Sequence, residues 1–201
     1  MKNIKSILTN SISIIIGILI YVFLSQNFFS YSVNIAGAPT TGSQTGYQLI
    51  RQLFEGGDST MTSTCMVVSL FIISILAGLV IICSIYNLLT NLNVIKVNNE
   101  KLNKGFNITN IVLASLVAIF AIVAISCTAG YLNNGLDMSI ATTATESLTQ
   151  MGMTVTPEYV VQNLMTNYNA NIGWANITNL VLSIVLVCPV VLSYVFDRKD
   201  R

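Results

Sequence analysis

Four long apolar runs, at residues 7–28, 65–89, 108–132 and 177–196, dominate the pattern along this chain, and none of them contains Asp, Glu, Lys, Arg or His. A helix rising 1.5 Å per residue needs about 20 apolar residues to cross a hydrocarbon core of about 30 Å, and each run meets that length. In lipid the backbone must satisfy its own hydrogen bonds, so the pattern predicts an all-α fold, a four-helix transmembrane bundle in a single integral membrane domain over 1–201. The polar stretches between the runs are unequal. Residues 90–107 make a short link, whereas 29–64 and 133–176 are far longer than the roughly 2 to 8 residues that join packed helices. Both long loops carry helical periodicity. In "TGYQLIRQLFEGGDS", Tyr47, Ile50, Leu53 and Phe54 share one face and Gly56 ends the turn. In "TPEYVVQNLMTNYN", Thr156 caps, Pro157 takes the first helical position, and Val161, Leu164, Met165 and Tyr168 line one side. A weaker segment over 137–151 spaces Ala141, Ala144, Leu148 and Met151 helically. These faces want an apolar partner, so the two loops are expected to pack on each other as a small extracytoplasmic helical cap, ahead of packing on the membrane interface or on another protein.

Charge orients this picture. Charged residues are 8% of the chain against about 25% in soluble domains, which leaves too little polar surface for a water-soluble globule. Lys2 and Lys5 precede the first run, Lys96, Lys101 and Lys104 lie between the second and third, and Arg198, Lys199 and Arg201 follow the fourth. The two long loops hold only Arg51, so the positive-inside bias places both termini and the short link in the cytoplasm and the long loops outside, in a multi-pass protein of the cell membrane. Phe28, Phe29, Tyr31, Tyr131 and Trp174 fall where an outer aromatic belt belongs, with Tyr86 and Tyr194 toward the inner one. Lys2 and Lys5 ahead of an apolar stretch also describe a secretory signal. The length of the run, its bulky Tyr21, Phe23 and Phe28, and the want of a small-x-small cleavage site favour a retained anchor.

The tetrapeptide "NITN" opens both the third run, at Asn107, and the fourth, at Asn176. Entering from opposite sides, the copies could only belong to an inverted repeat, and four residues are too few for that. Two helix starts, where Asn and Thr accept from first-turn N–H groups, explain them better, and neither Asn-x-Thr is placed for glycosylation. Ala114, Ala118 and Ala121 with Thr128 make a small-residue stripe on the third run, matched by Gly78 on the second, which reads as close helix packing in preference to a solute path. Pro189 predicts a kink in the fourth run. Cys65 and Cys127 belong to the same half of adjacent antiparallel runs, where a bridge is geometrically conceivable, although membrane cysteine commonly behaves as a small apolar residue.

Candidate chemistry is sparse. The chain has no histidine, no Cys-x-x-Cys, no P-loop, dinucleotide or Gly-x-Ser-x-Gly fingerprint, and Gly56-Gly57 reads as a helix end, so neither an enzyme nor a metal or cofactor site is expected. The stretch "TGYQLI", between the first and second membrane helices, resembles the Gly-aromatic-x-Leu-Ile segment of small uncharacterised four-helix, or tetraspan, bacterial membrane proteins. That resemblance implies a tetraspan shape and no activity. The Trp and cysteine pair of claudins and the Cys-Cys-Gly of tetraspanins are absent from the outer loops. The expected role is an integral-membrane scaffold or accessory protein acting through protein contacts at its outer helical cap and bundle surface. Its expected partners are the lipid bilayer and either another protein or further copies of itself, not nucleic acid. The alternatives are a subunit of an oligomeric channel or small-solute transporter, and an immunity-type membrane protein.

Overall fold

The computed structural model describes residues 4–55, 61–92, 94–95 and 100–199. In chain order the elements are α1 (Ile4–Leu24), β1 (Asn27–Ile35), β2 (Ala38–Thr45), α2 (Gly46–Glu55), α3 (Met61–Asn91), α4 (Glu100–Asn134), α5 (Leu136–Gln150), α6 (Pro157–Tyr159) running into a π-helical turn (Val160–Leu164), β3 (Met165–Ile172) and α7 (Trp174–Lys199). Four helical stretches are long and apolar enough to cross a membrane: Ile4–Leu24, Ser63–Asn91, Lys104–Asn134 and Trp174–Asp197. The first ends four residues sooner than its apolar run, because Ser25, Gln26 and Asn27 interrupt it and Phe28 joins a strand.

The loops are not all helical, which corrects the expected helical cap. They build a three-stranded antiparallel sheet in the order β2-β1-β3. β1 alternates Phe29, Tyr31, Val33 and Ile35 with Ser30, Ser32 and Asn34, the period-2 pattern of a half-buried strand. Ala36 (φ 52°) and Gly37 (φ 87°) then supply the two left-handed residues that a tight hairpin turn requires, with Ile35 opposite Ala38. β3 takes over what the spacing of Val161, Leu164, Met165 and Tyr168 assigned to one helix face. The helix from Pro157 lasts one turn, Val161 and Leu164 fall in the π-helical turn, and Met165 and Tyr168 belong to the strand. Between Asn34↔Thr166 and Ser32↔Asn169 the register slips, so Asn167 and Tyr168 together face Val33. Asn167 sits at φ 54°, a left-handed conformation that asparagine tolerates and a bulge of this kind uses.

Local chemistry fixes two helix starts, the one at Thr156 as expected. Thr156 Oγ1 accepts from the Tyr159 N–H at 3.3 Å, with Pro157 in the first turn. At α2 the capping is reciprocal: the Gln48 N–H donates to Thr45 Oγ1 at 3.2 Å and the Thr45 N–H donates to Gln48 Oε1 at 2.8 Å. Gly56 and Gly57, read as the end of this helix, lie outside the described residues.

The chain divides into two compact units, one of Met1–Phe23, Ser69–Ile122 and Thr178–Arg201, the other of Leu24–Val68 and Val123–Ile177. In the first, segments of α1, α3, α4 and α7 share a core of Ile16, Ile20, Leu70, Ile73, Ala77, Val80, Ala114, Val117, Ala121, Leu186 and Val190. The buried stripe of α4 steps Asn107, Asn110, Ala114, Val117 and Ala121 at alternating three- and four-residue intervals. Ala114 and Ala121 are therefore on the packing face as the small-residue stripe requires, while Ala118 is half-buried beside it and Val117 is the residue enclosed. Gly78 leaves room for the Tyr21 phenol, whose oxygen would lie 2.8 Å from an added Cβ and whose hydroxyl donates to the Ser74 carbonyl. Pro189 is accommodated inside α7.

In the second unit, Phe28, Phe29, Val33, Leu49, Met66, Leu132, Leu136, Ile140 and Val160 are buried around the sheet. A Cβ at Gly173 would stand 2.1 Å from the Asn27 carbonyl oxygen. The close approach lets the Gly173 N–H donate to the Phe28 carbonyl at 2.7 Å, holding the end of β3 against the start of β1.

Candidate functional site

Two groups of side chains stand out, one in each unit. In the sheet unit, β1 contributes Ser30 and Ser32, β2 Thr41 and Ser43, and β3 Asn169 and Asn171, all exposed. The register aligns them in two rows across the three strands, Ser43–Ser30–Asn171 and Thr41–Ser32–Asn169. They line an open groove of about 510 Å³ that carries hydroxyls and amides and no charge. Asn171 Nδ2 donates to Asn169 Oδ1 at 3.1 Å, which orients two of the amides.

The apolar residues expected to close the outer loops together lie elsewhere than in a core. On α2 the buried residues are Gly46 and Leu49, whereas Tyr47 is 41%, Leu53 37% and Phe54 72% exposed and Ile50 is half-buried. Val161, Leu164 and Met165 are half-buried as well. The structure does not bury these two faces in each other. The loops are joined instead by β1 pairing with β3 over Phe29–Ile35, a ladder in which the main-chain groups of each strand find partners on the other. Arg51 and Glu55 form an exposed pair at 2.6 Å along α2.

Tyr168 has a defined role. Its hydroxyl donates to the Leu132 carbonyl at 2.9 Å. Burial, then the Asp137 carboxylate, then Tyr131 push its pKa up to about 12. The neutral phenol is thus favoured by folding, and the stability it contributes is complete below the ordinary tyrosine value of about 10 and lost as pH rises from there toward about 12. Tyr168→Phe should cost about 1 kcal/mol at neutral pH through the lost hydrogen bond, and should flatten the alkaline fall in thermal stability between about pH 10 and about pH 12. An alkaline fall as steep as that of the unaltered protein would remove Tyr168 from the account.

In the other unit a polar cluster is buried among the four long helices. Asp197 on α7 is 8% exposed. Its Oδ1 accepts from the Ser6 hydroxyl at 2.5 Å and from Asn91 Nδ2 at 3.4 Å, and its Oδ2 accepts from Asn107 Nδ2 at 3.1 Å. Asn91 Nδ2 also donates to Ser6 Oγ at 2.8 Å, Ser6 and Ser193 hydroxyls lie 3.3 Å apart, and Asn10 Nδ2 reaches Ser6 Oγ at 3.4 Å. Asn110 Nδ2 donates to Ser84 Oγ at 3.1 Å. Among the described residues the carboxylate has neutral donors and no ion-pair partner. The first Asn-Ile-Thr-Asn is not a helix start, which corrects that expectation: α4 begins at Glu100, and from inside it Asn107 donates to Asp197 and Asn110 to Ser84. In the second copy Asn176 Nδ2 donates to Thr128 Oγ1 at 3.1 Å in the sheet unit.

Asp197 escapes a reading that counts charges inside the apolar runs, because it directly follows the fourth of them. The available signal was the helical spacing of polar residues in and just beside the runs: Ser6, Asn10 and Ser13, then Ser84, Asn87 and Asn91, then Asn107 and Asn110. Among the described residues no group of three or more His, Cys, Asp or Glu could hold a metal ion. No protein-family model matches the chain, and no curated protein or solved structure is found to be similar to it.

Proposed function

We propose that this chain is an integral-membrane scaffold or accessory protein that crosses the membrane four times and acts by protein contact through a folded platform outside the cell. The observation that carries this reading is the pairing of β1, from one long loop, with β3, from the other. Two independent connections would need no such pairing. Knitted into one sheet, they hold a fixed array of hydroxyls and amides beside an α2 that turns Tyr47, Leu53 and Phe54 to the surface. Exposed aromatic and aliphatic side chains next to orientable polar groups are the composition of a protein-contact surface. The platform faces outward because the cations gather at the other ends of the spans.

The test is photocrosslinking from within the platform. With a benzophenone amino acid in place of Phe54 or Ser32 in the full chain, expressed in the cells that make it, discrete protein adducts are expected at both positions. The same probe at the lipid-facing Ile122, which is 50% exposed, should give none of them. Lipid adducts alone at all three positions would reject the contact role. Orientation is checked separately in a chain whose native cysteines are replaced by Ala: an impermeant maleimide should label a cysteine introduced at Ser147 and miss one at Lys104. A second reading, a subunit of a small-solute carrier or channel, is favoured by the buried Asp197, since an ionisable residue inside a membrane bundle commonly marks a pathway. Flux through proteoliposomes that Asp197→Asn abolishes would support it over the first.

A further inference from the structure

Cys65 near the start of α3 and Cys127 on α4 bring their Sγ atoms to 2.8 Å. Both residues are half-buried, both belong to the sheet unit, and neither is bonded to another cysteine. Two thiols at that separation need to approach by less than about 1 Å to reach the disulfide bond length of about 2.05 Å. The two side chains already meet between the helices, whereas cysteines whose side chains point apart cannot be bridged without backbone movement. The other two cysteines, buried Cys83 and exposed Cys188, lie in the other unit and serve as internal controls.

We propose that Cys65 and Cys127 are a modification site, closed as a disulfide in the mature protein. The inference rests on the outward placement of the sheet unit, where an oxidising compartment is available. The oxidant is a disulfide, either of an exchange protein or of a small thiol compound. One cysteine thiolate attacks it, forming a mixed disulfide and releasing one oxidant thiol. The second thiolate then attacks the sulfur of the first cysteine and displaces the other oxidant thiol. Two cysteines lose two protons and two electrons, and the oxidant's disulfide is reduced to two thiols. The half-exposure of both side chains gives the exchange partner access. The bond would tie α3 to α4 across 62 residues of chain that include the link between those two helices, adding a covalent fastening to a unit otherwise held by strand pairing and side-chain burial.

The experiment counts thiols. Cells carrying the full chain are quenched in acid, the protein is unfolded, free thiols are blocked with N-ethylmaleimide, and a polymer-linked maleimide is added after reduction. Two polymer additions are expected, unchanged in Cys83→Ser/Cys188→Ser and lost in Cys65→Ser or Cys127→Ser. If no additions appear in cells, the folded protein purified under reducing conditions is exposed to glutathione disulfide. Closure of the pair there, with open thiols in cells, overturns closure in the mature protein and traces the failure to the outward placement of the sheet unit. Open thiols in both settings overturn the proposal.

Discussion

Asp197→Ala is expected to lower the unfolding free energy of the protein in mild detergent by about 3 kcal/mol, read from thermal or denaturant unfolding. The losses are unequal among its partners. Asn107 Nδ2 is left as a buried donor, costing about 1 to 3 kcal/mol, because the Asp197 carboxylate is its acceptor. Ser6 and Asn91 are partly protected. The Ser6 hydroxyl has Ser193 within 3.3 Å, and Asn91 keeps its 2.8 Å bond to Ser6 Oγ, so each forfeits a bond to a charged group without being stranded. Asp197→Asn retains one carbonyl oxygen in the same place and should lose visibly less than the Ala variant. If the two variants unfold with the unaltered protein, water has replaced the carboxylate, and the cluster is hydrated rather than closed.

This cluster and the sheet mark the boundary of what the sequence makes legible. The four membrane-length helices were legible because a run of about 20 apolar residues has few other physical solutions. Their ends were less so, since Phe28 extends the apolar run while belonging to β1, and Asp197 ends a run while still inside α7. The hairpin was legible in principle. Phe29, Tyr31, Val33 and Ile35 alternate with polar residues and lead into Ala36-Gly37, but the strand begins within the tail of an apolar run, which hides its period. β3 was not legible. Half of Met165–Ile172 is Asn or Ala, residues of little strand preference, and the segment is extended because β1 offers it a ladder from the other loop. The local helix signal starting at Thr156 was real and lasted a single α-turn before that non-local pairing prevailed. On α2 the helical period holds but the enclosed side is not the expected one: Leu49 and the side-chain-free Gly46 are enclosed, Ile50 is half-buried, and Tyr47, Leu53 and Phe54 are left outside.

That reversal separates two ways of opening the platform. Phe29 is fully buried on the central strand and meets Tyr131 edge-to-face, with ring centroids 6.0 Å apart. Phe29→Ala removes a whole ring from a closed site, a change that costs about 3 to 5 kcal/mol. Because β1 is shared by β2 and β3, the loss should be felt in both long loops together, and limited proteolysis should cut 29–64 and 133–176 at similar rates while the four long helices stay intact. Ile50→Ser/Phe54→Ser should do little by the same measurement. Phe54 is 72% exposed and Ile50 half-buried, and surface substitutions of that kind usually stay within about 0.5 kcal/mol. The opposite ranking, with the α2 pair opening both loops and Phe29→Ala leaving them protected, would mean that the helix face and not the β1–β3 ladder holds the platform shut.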